Sequence, residues 1–95
     1  MSQIRVTVWG ENVHEKKHQL VADTYPKGIH GCIADALASD PEISARCATL
    51  EQSEHGLTER VLAETDVLTW WGHAAHEQVD ERIVDRIQQR VLQGM

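Results

Sequence analysis

The sequence predicts an α/β fold, part of a doubly wound parallel sheet with helices on both faces. Strand patterns alternate with helix patterns along the chain, which is typical of parallel sheets. Each helix pattern is long enough to carry the chain back to a parallel position by a right-handed crossover. The 95 residues suit one small domain. About three strands and three helices are predicted, fewer than such sheets usually have. We therefore expect residues 1–95 to be a single, truncated domain.

The predicted strands differ in clarity. Residues 4–9 alternate strictly between polar and apolar side chains and contain β-branched residues, the pattern of a strand. Residues 45–50 are a second, weaker strand candidate. Residues 67–71 are almost wholly apolar, which predicts burial on both faces, as for a parallel strand in the middle of a sheet.

The helices are predicted from apolar residues that recur at helical spacing. A stripe over 29–37 predicts the first helix, and it contains Cys32. Thr58 is a candidate N-cap for a short helix that ends at 63. A second stripe predicts a last helix over about 77–92. The segment 11–27 is polar and is predicted to be a connection.

Composition excludes several classes of partner. The chain has 9 basic and 15 acidic residues, a net charge of −6, and no cluster of Lys and Arg that would bind a nucleic-acid backbone. No apolar run approaches the roughly 20 residues of a membrane span. The N-terminus continues directly into a strand pattern without the apolar segment of a secretory signal. Cys32 and Cys47 are therefore expected to be free thiols in the cytoplasm.

Ligands of open parallel sheets bind outside the carboxyl ends of the strands. Two predicted strands end there in the same way, with Trp9-Gly10-Glu11 and with Trp71-Gly72-His73. Of the six histidines, four follow these strand ends: His14, His18, His73 and His76. The pattern predicts a polar site at this edge of the sheet. The alternative is that polar loops simply tolerate histidine.

A metal site is one interpretation of these histidines. His14 from the first loop could converge with His73 and His76 from the third, and the carboxylate of Glu11 lies nearby in sequence. Histidines with one or two carboxylates suit Zn²⁺ or another divalent metal. His73 and His76 could equally cap the last helix.

A literal His-Glu-x-x-His motif spans residues 14–18. In zinc proteases this motif works because both histidines share one face of a buried helix. Here it lies in a polar connection just after a strand, and the pattern therefore does not favour a protease. A role for the motif depends on His18.

The adjacent residues Trp70 and Trp71 point to opposite faces of a strand. One of them is expected in the core. The other, together with Trp9, could stack on a sugar ring, although core packing is the commoner use of such residues.

Six blocks of the sequence form a recognisable series: Val8-Trp9-Gly10-Glu11-Asn12-Val13-His14-Glu15-Lys16-Lys17, Tyr25-Pro26-Lys27-Gly28-Ile29-His30, Glu54-His55-Gly56-Leu57-Thr58, Asp66-Val67-Leu68, Trp70-Trp71-Gly72-His73-Ala74-Ala75-His76 and Arg90-Val91-Leu92-Gln93-Gly94-Met95. In this order, and over nearly the whole chain, they resemble the trehalose-utilization (ThuA-like) family. The chain departs from the family at Gly10, where the family usually has Asn, and His18 does not match a family position.

The resemblance implies a three-layer flavodoxin-like α/β fold similar to class I glutamine amidotransferases, of which this chain would be the N-terminal part. It also implies a role in the catabolism of trehalose or a related disaccharide. The site residues that it implies are Glu11, His14, His30, His73 and His76.

The sequence is consistent with two functions. In the first, the chain binds a sugar or sugar-derived molecule through Glu11, His30, Trp71 and His73. His14 and His76 would then serve as acid/base groups near neutral pH. In the second, the chain is a non-catalytic interaction module that self-associates into a homo-oligomer through an open sheet edge. A charge at Leu68 in the third strand would test the second.

Overall fold

A computed structural model describes residues 3–12, 19–72 and 75–95. Within them, three strands form one parallel sheet in the order β2-β1-β3: β1 (Ile4–Gly10), β2 (Ile43–Thr49) and β3 (Val67–Trp71). β1 is central and pairs with β2 over its whole length and with β3 from Val6 to Gly10. The α/β prediction is confirmed. The order is that of the first three strands of flavodoxin-like sheets.

The described residues contain four α-helices: α1 (Gln19–Thr24), α2 (Gly28–Ala38), α3 (Glu59–Ala63) and α4 (Glu81–Leu92). Short 3-10 turns lie at Ser53–Gly56 and His76–Gln78. The chain moves from β1 to one neighbour and then back across β1 to the other. Right-handed crossovers in opposite directions place their helices on opposite faces of the sheet. None of the helices in the described segments is long and apolar enough to cross a membrane.

The indole of Trp9 is at the centre of the core. It is almost completely buried and stacks on Trp70, its neighbour across the sheet, with ring centroids 3.8 Å apart and planes 9° from parallel. Its Nε1–H donates a hydrogen bond to the carbonyl oxygen of His55 at 3.1 Å, so that the polar atom of the indole is satisfied inside the protein. The other buried members of this cluster are Ala48, Leu50, Leu57, Leu62, Ala75 and Ile83. Because Leu62 and Ile83 are among them, α3 and α4 cover this face.

Side chains cap both helices that cover this face. The hydroxyl of Thr58 accepts a hydrogen bond from the backbone N–H of Val61 at 3.1 Å, which confirms the predicted cap of α3. The carboxylate of Asp80 accepts from the N–H of Arg82 at 2.9 Å and caps α4. Each cap satisfies a donor that the first turn of a helix leaves without an internal partner.

Two arginines attach α4 to the chain around α3. Arg90 donates to the carbonyl oxygens of Leu62 at 2.8 Å and Thr65 at 2.9 Å, and Arg86 donates to that of Leu57 at 3.0 Å. The carbonyl oxygens of Leu62 and Thr65 lie at the C-terminal end of α3, where a helix leaves acceptors without internal partners, and that of Leu57 precedes its N-cap. The arginine flank of α4 therefore faces α3.

A buried pair of hydroxyls joins β1 to the end of α3. Thr65 Oγ1 donates to the carbonyl oxygen of Val61 at 2.6 Å, and Thr7 and Thr65 are joined through their Oγ1 atoms at 2.6 Å. Since the proton of Thr65 is used toward Val61, Thr7 is the donor in the second bond. Both hydroxyls are therefore satisfied although both residues are buried.

The structure corrects three expectations about burial. β3 is an edge strand of the described sheet, and Val67 and Trp70 on it remain 45% and 41% exposed, so the prediction of burial on both faces is wrong. Cys32, expected on the inward stripe of its helix, is exposed. Val91, in the apolar stripe that predicts the last helix, is also about half exposed, whereas Ile83 of the same stripe is buried.

Two boundaries also differ from the prediction. Helix α1 lies inside the segment predicted to be a polar connection. The last helix begins at Glu81 rather than near 77, because Asp80 caps it there and a separate 3-10 turn precedes it. The prediction of free thiols is confirmed for both Cys32 and Cys47.

Arg5 and Asp66 fix the start of β3 against β1. Arg5 donates from Nε and Nη2 to the two carboxylate oxygens at 3.1 and 2.9 Å, and its backbone N–H donates to Oδ2 at 2.8 Å. The guanidinium and then the backbone N–H of Arg5 lower the pKa of Asp66 from 3.8 to about 2. A carboxylate with a lowered pKa stabilises the fold while it is ionised, and this contribution is lost as the pH falls.

We predict that Asp66→Asn reduces the pH dependence of stability in acid. The wild-type free energy of unfolding should fall between pH 3.8 and about 2, the range between the ordinary and the lowered pKa of Asp66. The variant should be less stable at neutral pH and change less over this range. Urea unfolding at a series of pH values measures both.

Asp85→Asn is the matched control, because it removes the same charge from an exposed position on α4. It should keep the wild-type slope. The prediction fails if Asp66→Asn and Asp85→Asn show the same pH dependence.

Candidate functional site

The strand order predicts a crevice between the carboxyl ends of β1 and β3. The chain that leaves β1 leads to α2 on one face of the sheet, whereas the chain that leaves β3 leads to α4 on the other. Connections that diverge in this way leave a gap between neighbouring strand ends, and this is where open α/β sheets bind ligands. The residues at the gap are Gly10 and Glu11 from β1 and Trp71 and Gly72 from β3.

Glu11 is a buried carboxylate at this point. Its side chain is 1% exposed, and Oε2 accepts a hydrogen bond from the backbone N–H of Ala75 at 2.8 Å. Ala75 belongs to the connection after β3, so the bond crosses from the end of one strand to the loop of the other. Burial of an acidic side chain costs free energy unless its oxygen atoms are hydrogen-bonded. The N–H of Ala75 supplies such a partner for Oε2 of Glu11.

The chain turns sharply directly after Glu11. Asn12 has a φ of 56°, in the left-handed region that asparagine tolerates better than most residues. Its side-chain amide donates to Oε1 of Glu51, beyond the end of β2, at 3.0 Å. The connection that leaves β1 is thus tied to both neighbouring strands, on one side through Glu11 and on the other through Asn12.

His30 and Trp71 lie on the same face of the sheet, on either side of Gly10. A Cβ atom on Gly10 would lie 3.2 Å from the Cβ of His30, so glycine allows this close approach of α2 to β1. Trp71 is the β3 partner of Gly10 and shares its face. An imidazole, a glycine and an indole therefore follow one another across this face at the end of the sheet, and Glu11 follows Gly10 in the chain.

The backbone of His30 also forms a hydrogen bond with Cys47 of β2. The thiol donates to the carbonyl oxygen of His30 at 3.7 Å. Partial burial, assisted by the carboxylate of Asp35, raises the pKa of Cys47. A raised pKa keeps the group in the thiol form at neutral pH, which does not favour a nucleophile.

Two of the three tryptophans pack on the core face of the sheet, and the third lies on the opposite face at the candidate site. Trp9 and Trp70 stack on each other on the face that α3 and α4 cover. The suggestion that Trp9 stacks on a sugar is therefore wrong for the structure, because the partner of its ring is Trp70. Trp71 lies on the opposite face and is half-buried.

His55 is part of a separate polar junction beyond the end of β2. Its Nε2 accepts the backbone N–H of Asp80 at 2.9 Å, so the neutral ring carries its proton on Nδ1, which donates to the carbonyl oxygen of Leu50 at 2.8 Å. The residue joins the end of β2 to the start of α4, in a left-handed backbone conformation with a φ of 55°. Both ring nitrogens are thus used by the fold.

Several predicted site residues fall outside the described part of the chain. His14, His18 and His73 lie outside the described residues, and with them the His-Glu-x-x-His motif. The backbone of His76 is described in a 3-10 turn, but its side chain is not. Of the predicted set, the structure describes the side chains of Glu11, His30 and Trp71. His30 and Trp71 lie on one face of the sheet, whereas Glu11 binds Ala75, a member of the buried cluster around Trp9 on the other face.

Glu11 and His30 offer oxygen and nitrogen donors of the type that Zn²⁺ accepts, although Oε2 of Glu11 already holds the N–H of Ala75. Among residues 3–12, 19–72 and 75–95, no group of three or more His, Cys, Asp or Glu side chains is arranged to hold a metal ion.

Two features of the site were missed from the sequence. The turn at Asn12 has a recognisable signal, an asparagine shortly after the glycine that ends a strand. The backbone N–H of Ala75 has none, because any residue except proline supplies this donor. No family model matches the chain, and no curated protein matches it either.

We predict that Gly10→Ala destabilises the protein through His30. The added methyl group must displace α2 or the imidazole, and overpacking of this kind costs about 1–3 kcal/mol. Urea unfolding measures the loss. The variant His30→Gly removes the opposing Cβ, so the double variant should lose less than the sum of the two single losses.

The expected difference from additivity is at least about 0.5 kcal/mol, which is typical of residues in contact. Losses that add within error would contradict a direct contact between positions 10 and 30.

Proposed function

We propose that the chain binds a sugar or sugar-derived small molecule, of the trehalose type, in the crevice between the carboxyl ends of β1 and β3. The single observation that carries the proposal is the buried Glu11 carboxylate at this gap, held by the N–H of Ala75. The resemblance to the trehalose-utilization family supports the same edge and the same class of ligand.

The side chains at the gap suit a polyhydroxylated ligand. The carboxylate of Glu11 accepts hydrogen bonds from hydroxyl groups, and an imidazole such as that of His30 can donate or accept them. Trp71 adds an apolar surface beside these polar groups, the combination found in small-molecule sites. We propose His73 as a further ligand contact and His14 and His76 as acid/base groups.

A purely structural role of Glu11 is the competing explanation. The hydrogen bond to Ala75 alone would justify a buried acceptor, because it positions the connection after β3. Glu11→Gln separates the two roles. The amide oxygen of glutamine can still accept from Ala75, but the negative charge is lost.

We predict that Glu11→Gln binds trehalose at least about tenfold more weakly than the wild type, equivalent to roughly 1.4 kcal/mol. Isothermal titration calorimetry with trehalose measures the affinity, and thermal unfolding measures stability in parallel. Glu59→Gln, at an exposed position in the first turn of α3, is the matched control and should bind as the wild type does.

Trp71→Ala should also weaken binding, because it removes the apolar wall of the crevice. The proposal is wrong if wild-type protein does not bind trehalose, or if Glu11→Gln lowers stability while affinity stays unchanged. The second outcome would leave Glu11 as a structural residue.

A divalent metal such as Zn²⁺, held by His14, His73 and His76, is a second part of the proposal. It would supply a Lewis acid beside the ligand hydroxyl groups. Metal content by mass spectrometry should fall in a His14→Ala/His76→Ala variant and stay unchanged in His18→Asn. Loss of the metal in His18→Asn would instead favour the His-Glu-x-x-His motif as the metal site.

The proposed location is the cytoplasm. Both cysteines are free thiols, which suits a reducing compartment.

A further inference from the structure

Residues 54–56 form a left-handed turn between β2 and α3. Glu54, His55 and Gly56 have φ values of 54°, 55° and 69°. Glycine adopts this conformation readily, whereas glutamate and histidine adopt it at a cost in free energy, because their Cβ atoms approach the backbone too closely. Contacts with the rest of the fold must therefore hold the 54–56 turn in place.

Side chains and backbone of the 54–56 turn make these contacts. The carbonyl oxygen of His55 accepts the indole N–H of Trp9 at 3.1 Å, and Oε1 of Glu54 accepts from Nη1 of Arg86 at 2.8 Å. The His55 ring joins the end of β2 to the start of α4 through hydrogen bonds of 2.8 and 2.9 Å. Among these contacts, those of the ring depend on a group that changes its charge near neutral pH.

The Nε2 atom of His55 is the one that a proton would change. It accepts the backbone N–H of Asp80 while the ring is neutral. A protonated imidazole carries a hydrogen on both nitrogens, so that Nε2–H would face the N–H of Asp80 as donor against donor. Nδ1 would still donate to the carbonyl oxygen of Leu50. Protonation therefore breaks the contact with α4 and leaves the contact with β2.

The carboxylate of Asp80 is an acceptor that a protonated ring attracts. The side chain and then the backbone N–H of Arg82 lower the pKa of Asp80, and the charge of His55 adds to this. In the structure this carboxylate caps α4 by accepting from the N–H of Arg82 at 2.9 Å. A carboxylate that moves to the ring gives up this cap, which weakens the start of the helix.

The other charges around the ring balance each other. A cleft of about 340 Å³ separates the 54–56 turn from the start of α4, and its charged lining groups are Glu54, Asp80, Arg82 and Arg86. Glu54 is paired with Arg86 at 2.8 Å and Asp80 with Arg82 at 3.0 Å. The lining residues that follow β2, and the indole of β1, are uncharged. The hydrogen bonds of the ring therefore determine the response to a proton, and water in the cleft can deliver it.

We propose that His55 is a pH-sensitive switch, in which protonation of the ring releases the start of α4 and the connection before it. This connection is held at Ala75 by Glu11 and at Asp80 by His55. Release of Asp80 loosens the connection at the end away from Glu11. The response requires no ligand in the crevice.

NMR of the wild-type protein tests the switch in two steps. At about pH 8, long-range ¹H–¹⁵N spectra should show the proton of the neutral His55 ring on Nδ1, as both ring contacts require. On titration to about pH 5, the hydrogen-exchange protection of the Asp80 amide, corrected for the intrinsic rate at each pH, should fall as the ring is protonated. The expected decrease is at least about fivefold, the loss that one hydrogen bond produces.

His55→Asn removes the titrating ring but keeps a residue that tolerates the left-handed conformation. In this variant the Asp80 amide should be weakly protected at both pH values. His30→Asn is the matched control, because it removes an imidazole from α2, where His30 packs against Gly10. This control should keep the wild-type response of the Asp80 amide.

A neutral ring with its proton on Nε2, or an Asp80 amide whose protection is constant while His55 is protonated, would overturn the proposal. Both results come from the wild-type protein and do not depend on how well a variant folds. A pH response that persists in His55→Asn, or one that disappears in His30→Asn, would assign the response to another group and overturn it equally.

Discussion

The packing of Trp9 is the interaction on which the rest of the structure depends. Its ring stacks on Trp70 of β3, and its N–H binds the carbonyl of His55 beyond the end of β2. Trp9 on the central strand therefore contacts the connection that follows β2 and also the strand β3 itself. In a chain of 95 residues with a small core, a single aromatic residue can contribute a large share of the buried apolar surface.

The central position of β1 also determines where chemistry can occur. Because β2 and β3 lie on opposite sides of it, its carboxyl end is flanked by two strand ends, and the connection that leaves β1 diverges from the one that leaves β3. Glu11 and Asn12 leave β1 at this point and reach toward the two sides separately. The same strand that organises the core through Trp9 therefore presents the acidic group of the crevice two residues later.

The sequence was sufficient to predict the strands, the α/β class and the cap at Thr58, because these depend on local alternation and local hydrogen bonds. It was not sufficient for the exposure of β3. An apolar strand has the same pattern whether it lies in the middle of a sheet or at an edge, and only the strand order distinguishes the two. The candidate site likewise contains residues that the sequence predicts and a contact that it does not predict. The positions of Glu11 and Trp71 at strand ends could be predicted from the strand pattern, and His30 entered the candidate set through the family resemblance. The acceptor role of Glu11 toward Ala75 depends on a backbone group 64 residues away.

The wide separation of the sheet contacts has a consequence for how the chain folds. Asn12 meets Glu51 across 39 residues, next to the β1–β2 pair, while Arg5 meets Asp66 across 61, next to the β1–β3 pair. The loop-closure entropies of these two separations differ by only about 0.4 kcal/mol, too little to set an order of assembly. The order should instead follow the extent of strand pairing. β2 pairs with seven residues of β1 and β3 with five, and the Trp9 ring has no stacking partner until β3 arrives. Docking of β3 is then the late step of folding, and the change in indole environment that accompanies it would report the rate of that step.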